Sequence, residues 1–147
     1  MTDTQFLYVT YIASTPDKVW TAITDADISG RYWGNHNVSD WKPGSKWRHV
    51  RPNGNDAVVG EVVETTPPKR LVLTWADPDD SDDKSRVTFQ IEPVADMVRL
   101  TVTHDRLTAG TRMVRGISEG WPRVLSSLKS YLETGRPLDV WAGMRAA

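Results

Sequence analysis

Hydrophobic and polar positions follow three different periods along the chain, and the changes of period divide it into elements. Phe6-Leu-Tyr-Val-Thr-Tyr-Ile-Ala13 is dense in β-branched and aromatic residues and predicts a first strand. Thr15-Pro16-Asp17 follows at once: Thr15 is a capping residue, Pro16 suits the first helical position, and Asp17 suits the positive end of a helix dipole. Val19, Trp20 and Ile23 recur at helical spacing, giving a short helix over about 16–24. A second short helix is expected from Asp25 to Tyr32 or Trp33.

From about residue 38 the period becomes two. Strands are expected over Lys46–Val50, Val58–Thr65, Arg70–Trp75, Val87–Ile91 and Val98–His104. The breaks between them are Lys42-Pro43-Gly44-Ser45, Pro52-Asn53-Gly54-Asn55, Pro67-Pro68, an acidic stretch over 77–83, and Pro93 to Asp96. Five strands in a row at short spacing form an antiparallel meander. Alternation places Leu71, Leu73 and Trp75 on one face, Val87, Phe89 and Ile91 on one face, and Val98, Leu100, Val102 and His104 together.

The period then returns to that of a helix. Ile117, Trp121, Leu125, Leu128 and Leu132 form an apolar stripe, and Gly135 followed by Pro137 stops it. Pro122 interrupts this pattern, so either one helix bends there or 109–118 forms a separate turn. The expected fold class is α+β: a first strand, two short helices, a meander, and a long C-terminal helix. The helix stripe must be buried, and the sheet face is the only apolar surface large enough to take it. A twisted sheet curls around such a helix, and incomplete packing between them leaves a cavity. The length of 147 residues fits one domain, with a core over about 6–134 and a tail over 135–147 whose Trp141 tucks against the body.

Composition sharpens this picture at one point. Seven tryptophans stand against four tyrosines and two phenylalanines, a surplus that fits a tryptophan-rich core, the commoner case, or an aromatic-lined cavity. Other classes are excluded. A content of 39% hydrophobic residues with a net charge of −1 excludes a disordered chain and a nucleic-acid binder. No apolar run reaches the length of a membrane span, so no membrane insertion is expected. Met-Thr-Asp-Thr-Gln-Phe6 lacks the basic and apolar stretches of a signal peptide, and the expected location is the cytoplasm. The absence of cysteine excludes disulfides and thiolate chemistry.

Several stretches together resemble one known group: Pro16-Asp-Lys-Val-Trp20, the Trp41-x-Pro-Gly44 turn, Gly60-Glu-Val62, Pro67-Pro-Lys-Arg-Leu-Val-Leu-Thr-Trp75, Thr103-His104, and Gly120-Trp121 with Leu125 and Leu128. Their order and spacing over roughly 6–134 are similar to the START-like (SRPBCC, helix-grip) superfamily, in the branch of the activator of heat-shock-protein ATPase homologues. The resemblance implies a curved antiparallel sheet gripping the C-terminal helix, with a hydrophobic cavity between them. It implies no one activity, because the superfamily includes lipid carriers, plant allergens and polyketide cyclases. The eukaryotic activator has an additional N-terminal domain that engages the chaperone, and this chain is not expected to carry it.

Catalytic chemistry has few places to reside. Of three histidines, His104 falls in phase with the inward strand residues, His49 shares with Trp47 a face that meets either cavity or solvent, and His36 is expected in a solvated loop near Trp33. An inward histidine is more often a hydrogen-bonded core residue than an acid–base, yet His104, and less so His49, are the candidates for catalysis. No histidine pair has metal-ligand spacing, and Asp77, Asp79, Asp80, Asp82 and Asp83 are expected on a solvated hairpin tip. No metal and no cofactor are expected. Glu61, Glu64 and Glu92 are expected to point outward. Trp47, Leu73, Trp75, Phe89, Leu100, Val102, His104, Ile117, Trp121 and Leu125 are expected either to line the cavity or simply to fill the core, with Trp33 and Trp41 placed to gate entry. The leading expectation is a protein that binds a small hydrophobic or aromatic molecule of lipid or polyketide-like character. The alternatives are a cyclase or hydratase using an inward histidine, and a stress-linked chaperone-accessory protein.

Overall fold

The computed structural model describes residues 4–108 and 111–143. Its elements are β1 (Thr4–Ile12), α1 (Pro16–Thr24), α2 (Ala26–Trp33), β2 (His36–Ser39), β3 (Lys46–Val50), β4 (Asp56–Thr66), β5 (Arg70–Asp77), β6 (Asp80–Val94), β7 (Met97–Leu107) and α3 (Arg112–Thr134). The strands form one seven-stranded sheet in the order β1-β7-β6-β5-β4-β3-β2, and every neighbouring pair is antiparallel. The meander therefore runs in sequence from β2 to β7, and β1 closes it by pairing with β7, Thr10 opposite Leu100.

Local chemistry sets the helix ends as the sequence predicts. The Thr15 hydroxyl accepts from the Lys18 amide at 3.3 Å with Pro16 next to the cap, and the Asp25 carboxylate accepts from the Ile28 amide at 2.9 Å. Gly34 ends α2 at φ +93°, a conformation that side chains rarely adopt. Gly60 in β4 has a different task. A Cβ there would collide with the Thr74 carbonyl, the same oxygen that accepts the Trp47 indole N–H at 2.7 Å.

The sheet buries one face against the helices. Val87, Val98, Leu100 and Val102 are fully buried, and Trp121, Leu125 and Leu128 of α3 meet the same core. Ile117 and Leu132, at the ends of the α3 stripe, are partly buried and pack against it. Each aliphatic side chain removed from water there contributes about 1.5–3 kcal/mol. The opposite face carries ion pairs, Arg70 with Glu64 and Arg99 with Glu92, both at 2.9 Å, so these carboxylates do point outward, and it also exposes Leu7, Val9 and Tyr11 of β1. Helix α3 runs from Arg112 through Pro122, so 112–118 belongs to the helix and forms no separate turn, while residues 109 and 110 of the expected turn lie outside the described residues. Among the described residues, no helix is long and apolar enough to cross a membrane.

Three expectations are corrected. Strand β2 is absent from the elements that the sequence pattern predicts, and it puts His36 in the sheet rather than in a solvated loop: His36 is partly buried, with Nδ1 2.8 Å from the Ala26 carbonyl. The acidic stretch is no long hairpin tip, because β6 begins at Asp80, which pairs with Asp77 around a tight turn. Within β6 the alternation carries Asp83 to the inward side with Ser85 and Val87, and Asp83 is only 6% exposed.

Candidate functional site

Five tryptophans form a connected aromatic cluster at one end of the grip. The C-terminal turn of α2 delivers Trp33, β3 delivers Trp47, β5 delivers Trp75 and α3 delivers Trp121. Ring centroids lie 5.2 Å apart for Trp47 and Trp75, 5.5 Å for Trp75 and Trp121, and 5.4 Å for Trp33 and Trp121. Those separations fall within the favourable range for tilted and offset aromatic pairs. The fifth, Trp41, stacks on Trp47 at 6.5 Å, and its indole donates to the Thr24 carbonyl at 2.8 Å.

Beside this cluster lies a cavity of about 680 Å³, partly open to solvent. Its apolar wall comprises Trp33, Trp75, Ile117, Trp121, Val124 and Trp141, and its polar groups come from Asn35, His49, Arg51, Asp56, Asp77 and Asp79. Gly116 and Gly120, one helical turn apart on α3, also face it. Of the ten expected lining residues, Trp75, Ile117 and Trp121 are on the wall. Trp47, Leu73, Phe89, Leu100, Val102, His104 and Leu125 lie instead in the packed interior, each no more than 2% exposed. Trp33, expected as a gate, is part of the wall, whereas Trp41 is not among the lining residues. The wall lies at the end of the sheet because the middle of the grip is filled by α3 and the core strands.

The two inward histidines have different roles. His104 is fully buried, its Nδ1 receives the Trp121 indole N–H at 3.0 Å, and its Nε2 lies 2.6 Å from the Ser85 hydroxyl. An indole only donates, so Nδ1 must accept and the proton sits on Nε2, which donates to Ser85. The serine oxygen is thus an acceptor of this histidine and is not activated by it as a nucleophile. Burial pushes the His104 pKa down to about 4. Its role is to lock α3 to β7 through Trp121.

His49 faces the cavity. It is 3% exposed, and Trp33 packs against its ring with centroids 4.4 Å apart. Nδ1 lies 2.7 Å from the Asn37 side-chain oxygen, whose amide nitrogen donates to the Ile23 carbonyl at 2.8 Å. That second bond fixes the Asn37 amide, so Nδ1 of His49 carries the proton and Nε2 is left as an acceptor, 3.3 Å from the Asn35 amide nitrogen. Burial above all, with the nearby Arg51 and His36, pushes the His49 pKa down to about 3. Among the described residues, no group of three or more histidine or acidic side chains is placed to hold a metal ion.

Sequence reasoning missed the polar half of this site. Asn35, Arg51, Asp56, Asp77 and Asp79 sit at strand ends and turns, where neither strand nor helix period applies. Gly116 and Gly120 did carry a legible signal, since two glycines within one helix face cost stability and call for a reason.

Comparison with known proteins agrees with this architecture. No curated protein matches the sequence. The Aha1 dimer from Colwellia psychrerythraea is 24% identical, with 90% of this chain and 98% of that chain aligned and a TM-score of 0.77. An HSP90 activator from Plasmodium falciparum is 25% identical over 87% of this chain and 95% of that one, with a TM-score of 0.75. CalU16 from Micromonospora echinospora is 20% identical over 89% and 77%, with a TM-score of 0.72. The family described as Activator of Hsp90 ATPase homolog 1-like protein matches residues 13–133, and the chain belongs to that family.

Proposed function

We propose that the chain binds a small hydrophobic or aromatic molecule, of lipid or polyketide-like class, in the cavity beside α3, and holds it without converting it. The observation that carries this reading is the cavity of about 680 Å³ walled by Trp33, Trp75, Trp121 and Trp141. Its size lies within the range of about 300–1,000 Å³ usual for small-molecule pockets, and its walls have the usual chemistry.

Helix α3 adds a second support. Glycine inside a helix costs about 1 kcal/mol relative to alanine, yet a Cβ on Gly116 or Gly120 would meet nothing within 4 Å. Packing does not demand these glycines; keeping the cavity wide is a use that accounts for both. Catalysis by the histidines has weaker support. His104 is engaged on both nitrogens away from the cavity wall, and His49, with a pKa of about 3, carries no proton to donate from Nε2 near neutrality.

The test is a calorimetric titration with polycyclic aromatics and fatty acids, read in parallel by tryptophan emission. The expected result is saturable one-to-one binding of at least one class, lost in Gly120→Phe, whose ring fills the cavity while thermal unfolding stays near that of the parent. No saturable binding across both classes would overturn the reading.

A further inference from the structure

Resting on that reading of the cavity, we propose that its occupant is a neutral hydroxylated aromatic, a phenol in its chemical class, whose hydroxyl seats between His49 Nε2 and the Asn35 side-chain amide. The tautomer of His49 is dictated from behind by Asn37 and Ile23, so its cavity-facing nitrogen can only accept. The Asn35 amide beside it can only donate at that nitrogen. These two groups contact each other at 3.3 Å, longer than the 2.7 Å bond on the other side of the ring. A hydroxyl donates one hydrogen bond and accepts another, so it satisfies both groups better than they satisfy each other.

Other head groups fit worse. A carboxylate turns lone pairs toward the Nε2 lone pair and meets Asp56, Asp77 and Asp79 in the lining, against which Arg51 sets a single positive charge. A ketone has nothing to donate to Nε2. An ammonium satisfies Nε2 and is attracted by the carboxylates of the lining, but it offers no acceptor to the Asn35 amide, which a hydroxyl does. The indole faces of Trp33, Trp75 and Trp121 favour an aromatic ring behind the hydroxyl, since tilted ring pairs add to simple burial.

The experiment compares β-naphthol with its methyl ether and with β-naphthoate on the full chain by calorimetry. Histidine nitrogen chemical shifts are followed by NMR in the same samples. The expected result is β-naphthol binding about tenfold tighter than the ether, the worth of one well-made hydrogen bond, with the naphthoate weaker than both. The His49 Nε2 shift is expected to move with β-naphthol and to stay put with the ether. In His49→Phe the preference is expected to vanish while both neutral ligands still bind. Where that variant fails to fold, the shift in the unaltered protein decides the same question. Equal binding of β-naphthol and its ether, or no binding of either, overturns the hydroxyl seat; the cavity reading falls only if the polycyclic aromatics and the fatty acids also fail to bind.

Discussion

His49 and His104 show how partners divide the duties of two chemically identical side chains. Both are buried, and burial holds both neutral, with pKa values near 3 and 4 against an ordinary 6.5. The unfolded chain takes up protons below about pH 6.5 that the folded chain refuses, so stability is complete above that pH and declines as the pH falls. Each histidine contributes a slope of about 1.4 kcal/mol per pH unit within its window. Urea midpoints measured at successive pH values are expected to fall between about pH 6 and pH 5 in the parent, and His104→Gln is expected to remove about half of that slope. An unaltered slope in the variant refutes the assignment to His104. Strand alternation makes the inward direction of Trp75 and His104 legible, and the shared face of Trp47 and His49. It carries no information on which of them meets open space, because that depends on how far along the sheet α3 fills the groove.

At the scale of elements, α3 combines a face that packs and a strip that does not. Leu128 is 1% exposed within the core, and Leu128→Ala is expected to cost about 2–5 kcal/mol in chemical denaturation. Gly116→Ala and Gly120→Ala have the opposite sign. Each adds a methyl into open space and gains helix propensity, so each is expected to raise stability by up to about 1 kcal/mol. Loss of stability in either variant sinks the view that these glycines serve the cavity alone. The apolar stripe of α3 is readable because its period is long and regular. The strand β2 is not, since His36-Asn-Val-Ser39 contains one apolar residue, and its strand character comes from pairing with β3, His36 opposite Val50 and Ser39 opposite Trp47. Asp83 departs from expectation for a related reason: its acidic neighbours obscure the alternation that it shares with Ser85 and Val87.

At the scale of the whole molecule, the grip and its family are legible because order and spacing of many short stretches survive where single motifs carry little. The closure of the cavity is not, because it depends on the chain beyond α3. That segment is strapped back along the helix. Ser127 accepts from the Leu138 amide at 3.0 Å and its hydroxyl lies 3.2 Å from the Leu138 carbonyl; Ser130 donates to the Arg136 carbonyl at 2.6 Å. Arg123 donates to the carbonyls of Val140 and Ala142 at 3.2 and 2.6 Å. These bonds press Val140 into the core and set Trp141 against the cavity, beside Gly34. Removing the guanidinium deletes the last anchor before Trp141 while leaving Ser127 and Ser130 in place. Arg123→Ala is therefore expected to lower the local opening free energy of the strap by about 1–2 kcal/mol. Hydrogen exchange at the Ala142 amide, which bonds to the Asp139 carbonyl at 3.1 Å, reads this directly. Faster exchange at Ala142 than at Leu138, with tryptophan emission shifted to the red, is the expected outcome. Identical exchange in the variant and the parent means that Val140 and the Ser127 and Ser130 bonds hold the strap without Arg123, which then has no part in closing the cavity.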